Sequence, residues 1–386
     1  MNKPKIFLVS PMLHQGGFEK VCVTTARILA DKLDITIVIF DDKDIAFDIE
    51  GLKVVNLNLG VKSNPIARIT NVFKRAAALK KLKKEYAPKV CYSFGSTANM
   101  VNAMSKTKET KIWLGIRGYD DVLYEKRLSY ICRKADLVVS CSEQMEDIIH
   151  KMYPQAPIDT LNNPFDVRNI EELAKESIDV WPFKDSTKVI ISAGRDHEVK
   201  HFWHMIKAFK LLNDEFPDTG LVLMGEGDFS KSKNLCANLG LTDKVFFAGL
   251  QRNPYKYLSK ADIYLLTSRN EGFPNAMVEG MCLGLACVST DCLTGPKEIL
   301  KNGEVGFLTP VMSPKENYDA GLFEDEEPLA RILKGLVGDE DRLADYKQRA
   351  KKRAADFSYE SYCTKFMYLF NKETQSEETV LTNKEL

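Results

Sequence analysis

Two carboxylates with seven residues between them, Glu271 and Glu279, flank the turn Gly272-Phe273-Pro274-Asn275 in the stretch SRNEGFPNAMVEGMCLG. An acid beside a helix start is ordinary capping chemistry, because free backbone N–H groups and the helix dipole favour negative charge there. That accounts for Glu271. It leaves Glu279 unexplained, a full turn inside a helix whose first residue Pro274 is suited to be. A second pair carries the opposite charge. Arg195 and Lys200, in SAGRDHEVKHFW, put a planar guanidinium and a mobile ammonium between a strand end and a helix start. Such a place suits a diphosphate.

Ionised carboxylates only accept hydrogen bonds, so acids near a diphosphate must hold neutral hydroxyls. Ribose hydroxyls, a diphosphate and sugar hydroxyls in that order satisfy both pairs, which describes a nucleotide sugar. Other turns support close approach of backbone to a ligand. Gly16 and Gly17 stand in SPMLHQGGFEKV; Gly225 and Glu226 in LMGEGDF; Leu250 and Gln251 follow Gly249 in FFAGLQRN. A Gly-Gly pair is also an ordinary tight turn. None of these is the spaced GxGxxG fingerprint, and no acid ends the second strand as NAD binding would need, which weakens a dehydrogenase reading. His197, His201 and His204 lack a companion carboxylate at ligand spacing and neighbour two cations, which opposes a metal. The run Asp41-Asp42-Lys43-Asp44 is expected to be solvated.

The elements that must position these residues are legible as short apolar runs alternating with helix-period segments. KIFLVS, ITIVIF, KVVNLN, KVCYSF, KIWLGI and ADLVVSC form one series; KVIISAG, GLVLMG, KVFFAG, DIYLLTS and ACVST form a second. Continuous Val/Ile/Leu runs are the mark of parallel strands buried on both faces. The chain is therefore expected to hold two Rossmann-like doubly wound α/β domains, whose strand ends face a cleft. Their bounds are 1–165 and 187–356, joined by a linker at 166–186; an aromatic helix at 357–372 and a polar tail at 373–386 follow. A length of 386 residues suits two domains. With 54 basic and 54 acidic side chains the net charge is zero, so no global field points to nucleic acid. Nine cysteines without CxxC spacing or a leader imply reduced thiols and a cytoplasmic setting.

In order along the chain, GGFEKV, the Gly194-Arg195 pair with Lys200, GEGD, EGFPNAMVE and TGPKEIL resemble the retaining glycosyltransferases of family 4, which have the GT-B fold. The resemblance spans nearly the whole chain. It implies that Arg195 and Lys200 stabilise the leaving diphosphate and that Glu279 holds the ribose. Glu271 and the backbone of Gly272, Phe273, Pro274 and Asn275 would hold the transferred sugar, and Leu250 and Gln251 would border the base. It also implies that the last helix crosses back to the first domain. Many relatives carry a histidine near the fourth strand's turn. Here Ser93, Ser96 and Asn99 stand instead, with Arg117 at the next strand end. Arg117 either contacts sugar or acceptor or pairs with Asp120 or Asp121.

This thin acid–base inventory suits a front-face reaction in which the β-phosphate takes the acceptor proton, without cofactor or metal. The implied activity is transfer of a hexosyl unit from a UDP-linked donor, a UDP-hexose or UDP-N-acetylhexosamine, to a surface-glycan or lipid-linked acceptor. A nucleotide-sugar epimerase and a non-catalytic nucleotide-sugar-binding subunit are the competing readings. One local charge signal remains. Residues 61–86 hold eight Lys/Arg and one acid, with Ile69, Val72, Phe73, Ala76, Leu79, Leu82 and Tyr86 at helical spacing. That pattern predicts a packed helix with an outward basic face, and with it peripheral attachment to an anionic inner-leaflet membrane.

Overall fold

The computed structural model describes residues 3–14, 16–61, 64–321 and 325–375. The chain divides into two compact units, Met1–Pro164 with Tyr359–Leu386, and Phe165–Ser358. The helix Val167–Leu173 occupies part of the stretch expected as a linker. The expected tail lies outside the described residues from 376 onwards; 373–375 end the last helix.

In the first unit, strands β1 (Lys5–Ser10), β2 (Asp34–Ile39), β3 (Lys53–Asn56), β4 (Val90–Phe94), β5 (Lys111–Ile116), β6 (Leu137–Ser140) and β7 (Ile158–Thr160) form one sheet ordered 3-2-1-4-5-6-7. All its pairings are parallel. In the second, β8 (Lys188–Ala193), β9 (Thr219–Met224), β10 (Val245–Gly249), β11 (Ile263–Leu266), β12 (Ala286–Thr290) and β13 (Phe307–Thr309) are ordered 10-9-8-11-12-13, again parallel throughout. Strand order reverses between β1 and β4, and between β8 and β11. At such switch points adjacent crossover helices lie on opposite faces, which leaves a crevice outside the strand carboxyl ends.

Apolar residues explain both cores. Ile190, Leu221, Leu223, Ile263, Leu265 and Val288 of the second sheet pack with Trp203, Ile206 and Phe209 of the helix Phe202–Asn213. In the first unit Ile6, Leu8, Ile37, Tyr92 and Trp113 pack with Val21 and Ala26 of α1 (Gly17–Leu29). Tyr362, Phe366, Leu369 and Phe370 join that same core from the last helix, Tyr359–Gln375. Tyr362 Oη and Thr25 Oγ1 share a hydrogen bond of 2.7 Å, and Phe366 lies 5.3 Å from Trp113, ring to ring. The C-terminal helix is thus a component of the first unit, as the resemblance implies.

Helix α2 (Pro65–Tyr86) corrects one expectation. Asn64 caps it, accepting from the N–H groups of Ile66 at 2.9 Å and Ala67 at 3.4 Å, and Pro65 opens it. Its packed face keeps part of the apolar stripe read from the sequence, with Val72 and Leu82 packed beside Ala76 and Leu79, and adds polar residues to it. Ala76 and Leu79 are buried, but so are Asn71, Arg75 and Lys83, while Ile69 and Phe73 are exposed. Polar members are accepted inside because each is bonded. Asn71 donates to the Gly60 carbonyl at 2.7 Å and Arg75 to that of Leu59 at 2.7 Å. Lys83 reaches Asn102 Oδ1 at 2.7 Å and Ser105 Oγ at 2.9 Å. Lys83 therefore does not belong to the outward basic face. No helix among the described residues is long and apolar enough to cross a membrane.

Candidate active site

The second unit gathers most of the candidate residues at the carboxyl ends of β8, β9, β10 and β11. Backbone contacts bind the loops together. Gly194 N–H donates to Met224, Asp196 N–H to Glu226 at 2.8 Å, and Gly225 N–H to Gly249 at 2.9 Å. Gly225 has φ +145°, and a Cβ there would come within 1.8 Å of the Gly194 carbonyl oxygen. No other residue fits, so the GEGD glycines serve first to let two strand ends touch. Asp196 Oδ2 then accepts from Phe229 N–H at 3.0 Å, tying the β8 loop to the helix beyond β9.

Lys200 closes a single 3₁₀ turn, Glu198–Lys200, capped by His197, whose ring nitrogen accepts from Val199 N–H at 3.3 Å. His201 follows at φ +52° and starts the helix Phe202–Asn213. The β11 loop grips this turn. Thr267 Oγ1 donates to the Lys200 carbonyl at 2.8 Å, and Arg269 N–H donates to that of Val199 at 2.9 Å. With both backbones fixed, Lys200 Nζ meets Glu271 Oε1 at 2.6 Å. Both side chains are largely sheltered, at 21% and 13% exposure, so the pair is a strong charge-assisted contact rather than a solvated one. Arg195 lies at the end of β8 on an exposed position, without a hydrogen-bond or ion-pair partner among the described residues.

The turn after Glu271 is held from the β12 side. Thr294 Oγ1 donates to the Glu271 carbonyl. Gly295, at φ +93°, packs so closely that a Cβ would stand 2.7 Å from Pro274 Cδ. Phe273 is buried between Phe165 and Phe357. Pro274 proves to be the cap residue, and the helix starts one residue later, as Asn275–Cys282, with no side chain capping it. An uncapped N-terminus leaves donors for an anion or hydroxyl. Glu279 is buried within this helix and accepts a hydrogen bond from Tyr255 Oη at 3.3 Å. Gln251 Nε2 donates to the Ala248 carbonyl, and Leu250 is 55% exposed.

Sequence reasoning missed Thr267, Thr294 and Tyr255 as supports. Thr294 lay in the quoted TGPKEIL run. Tyr255 gave no local signal, because its contact with Glu279 spans 24 positions. The histidines are structural. His204 Nδ1 faces Glu326 Oε1 at 2.5 Å, its Nε2 faces the Ser313 carbonyl at 2.9 Å, and His201 is buried.

Gly16, Gly17 and Arg117 belong to the first unit. Gly16 precedes α1 as its cap residue, and Gly17 is its first residue. A Cβ on Gly16 would collide with Glu19 Oε2, at 2.1 Å. Arg117 donates to Asn163 Oδ1 at 2.8 Å and to Tyr92 Oη, with its guanidinium over the Tyr92 and Phe94 rings. The pairing with Asp120 or Asp121 does not form; Asp121 is held by Arg127 at 3.1 Å and by Ser96. Burial pulls the Arg117 guanidinium below its ordinary range, opposed by neighbouring Tyr362, Cys141 and Cys22. The Tyr362 phenol is pushed up to about 12, chiefly by its own burial. Ser93 and Asn99 bond each other at 2.8 Å, and Asn99 bonds the Gly115 carbonyl at 2.7 Å. These neutral groups serve the scaffold.

Two parallel-sheet Rossmann-like units, with the last helix packed on the first, define a GT-B-type glycosyltransferase architecture. Residues 174–353 match the family model of group 1 glycosyl transferases. The chain is 27% identical over 369 residues to an uncharacterised glycosyltransferase of Methanocaldococcus jannaschii, covering 83% of this chain and 90% of the relative. It is 28% identical over 373 residues to the N-acetylgalactosamine-N,N'-diacetylbacillosaminyl-diphospho-undecaprenol 4-alpha-N-acetylgalactosaminyltransferase of Campylobacter jejuni, covering 92% and 96%. Among solved structures, Anabaena HepE in complex with UDP and glucose superimposes with TM-score 0.75 at 18% identity, over 96% of this chain and all of that one.

Proposed function

We propose that this protein is a retaining, metal-independent glycosyltransferase. It moves a hexosyl unit from a UDP-linked donor, a UDP-hexose or UDP-N-acetylhexosamine, to a lipid-linked or surface-glycan acceptor. The observation that carries the reading is the Lys200–Glu271 contact at 2.6 Å at the β8/β11 switch point, beside an uncapped helix that buries Glu279. A sugar binding there would accept and donate hydroxyl bonds at Glu271 and the N–H groups of 272–275. Its diphosphate would take Lys200 and Arg195, and Glu279, supported by Tyr255, would receive the ribose.

Charge on the diphosphate grows as the glycosidic bond breaks, so the two cations act most strongly on the transition state. No side chain is assigned the acceptor's proton. The departing β-phosphate takes it on the face it leaves, and the new bond forms on that same face, which retains configuration. The alpha linkage in the name of the Campylobacter relative is what such an enzyme makes from an α-linked donor, and its diphospho-undecaprenol acceptor supports a lipid-linked one here. UDP and glucose in the HepE complex support the donor class.

The test is transfer from UDP-sugars to polyprenyl-diphosphate-linked glycans in EDTA, with the product's anomeric configuration read by NMR. The proposal expects an α-linked product at undiminished rate. A β-linked product would remove retention, and activity lost in EDTA and restored by manganese would remove metal independence.

A further inference from the structure

Residues 174–181 fall in the stretch expected as a linker, yet they are tied to the helix Tyr255–Leu258 of the second unit. Asn253 Nδ2 donates to the Leu173 carbonyl at 2.7 Å, and Ser259 Oγ to that of Ala174 at 3.3 Å. Lys256 Nζ lies 3.9 Å from Asp179 Oδ2. Trp181 is half-buried. Its ring stands 6.3 Å from that of Tyr257, which is buried, and edge-on to Phe183 at 5.6 Å. Two rings thus fix the indole in place, so a ligand that covers its open side has little side-chain entropy to remove.

Between this turn and the helix lies an open cavity of about 550 Å³, lined by Glu176, Ser177, Trp181, Lys256, Ser259 and Lys260 among others. That size suits a small ligand. The lining decides which kind. Lys256 and Lys260 are balanced by Glu176 and by the neighbouring Asp179, so the cavity favours no strongly charged ligand, a nucleotide included. Hydroxyls, ammonium groups and a carboxylate interrupt the apolar wall, which disfavours a lipid tail. An aromatic face ringed by donors and acceptors fits a pyranose, whose C–H face covers the indole while its hydroxyls bond at the rim. The cavity adjoins the amino end of β11, because Lys260 lies just before that strand. Glu271 follows the carboxyl end of the same strand, so the cavity is separate from the Lys200–Glu271 site.

We propose that this cavity is a second, non-catalytic glycan-binding site: Trp181 is the platform for one pyranose ring, and Glu176, Ser177, Ser259 and Lys260 bond its hydroxyls. Such a site holds a glycan chain on the protein while its end is extended elsewhere, and raises the local concentration of that chain. Only this purpose rests on the glycan acceptor proposed above. Binding itself needs no turnover.

The chain has three tryptophans, and Trp113 and Trp203 are buried, so emission that acrylamide can quench comes from Trp181. Titrating the full chain with maltotetraose and with chitotetraose should shift that emission and protect it from acrylamide. Saturation-transfer NMR on the oligosaccharide gives a readout that does not need the indole. By that measure Trp181→Ala weakens binding roughly tenfold or more, and Glu176→Ala/Lys260→Ala about tenfold. The second variant changes exposed side chains only, so it tests the site even if Trp181→Ala unfolds. Binding should persist in Arg195→Ala/Lys200→Ala and with UDP in excess. Trp181 emission unchanged by both oligosaccharides overturns the proposal. So does wild-type affinity in the Glu176→Ala/Lys260→Ala variant. Binding lost in Arg195→Ala/Lys200→Ala would place the sugar at the β8/β11 switch point, which overturns the second site and leaves the proposed reaction standing. Binding at Trp181 by a protein that transfers no sugar would keep the site and remove the reaction.

Discussion

Lys200 is held by Glu271 at 2.6 Å, with both backbones tied through Thr267 and Thr294. A diphosphate entering beside it gains a cation that is already oriented, while Arg195 stands exposed and uncommitted. Arg195→Ala and Lys200→Ala should each lower turnover by roughly a hundredfold or more, as for other lost transition-state donors. The thermal midpoint should move little, because neither residue fills the core. Steady-state rates beside melting curves separate the two effects. Glu279→Gln should weaken binding of free UDP, whereas Glu271→Gln should spare UDP and impair the sugar-dependent step. Calorimetric titration in which both variants bind UDP normally would contradict the order ribose, diphosphate, sugar. The charged residues of this candidate site stood out in the sequence because acids and cations gathered at strand-end turns are conspicuous there. Their supports were not, since a threonine or tyrosine hydroxyl bonds across long separations that spacing does not encode. Arg117 shows the same limit: its partners Tyr92 and Asn163 are 25 and 46 positions away.

At the scale of elements, the loops after β8 and β9 depend on glycine. Gly225→Ala combines a left-handed φ with a Cβ 1.8 Å from the Gly194 oxygen, and should cost roughly 3 kcal/mol or more in urea unfolding. His201 is the hinge between the Lys200 turn and its helix. Burial, with His204 and Arg269 adding like charge, lowers its pKa from 6.5 to about 4. Between those values the unfolded chain takes up a proton that the folded imidazole refuses. Stability from this residue is complete above pH 6.5 and declines as pH falls towards 4, by up to roughly 3 kcal/mol. His201→Asn, which tolerates the left-handed backbone, should flatten the decline of melting temperature over that window; an unchanged slope would clear His201 of the role. Long apolar strands were legible from their continuous Val/Ile/Leu runs. β7 and β13 were not, because three residues at a sheet edge carry no period. The face of α2 was legible only in part for a related reason: periodicity finds Val72, Ala76, Leu79 and Leu82, which do pack, whereas Asn71, Arg75 and Lys83 are buried because they reach carbonyl and side-chain partners.

For the whole molecule, the helix Tyr359–Gln375 completes the first unit's core rather than the second's. Phe366 and Tyr362 contribute through Trp113, Tyr92 and Thr25. Phe366→Ala should cost about 3–5 kcal/mol, lowering the melting of the first unit while UDP binding, proposed here for the second, should persist. Loss of UDP binding together with that transition would show that the units do not act separately. The alternation of apolar and helix-period runs was enough to announce two sheets, and the aromatic character of FSYESYCTKFMYLF announced a buried helix. Which core it enters is a matter of tertiary packing that the local pattern does not hold.

The central claim is that the β8/β11 switch point drives sugar transfer by stabilising a leaving nucleoside diphosphate. Acceptor-dependent release of UDP from UDP-sugars, compared between wild type and the Arg195→Ala/Lys200→Ala double variant, addresses it most directly. The account predicts release by the wild type that requires acceptor, and at least a hundredfold less from a double variant that remains folded. Equal release by the two proteins would contradict it, as would a wild type that binds UDP-sugars yet releases none with any acceptor.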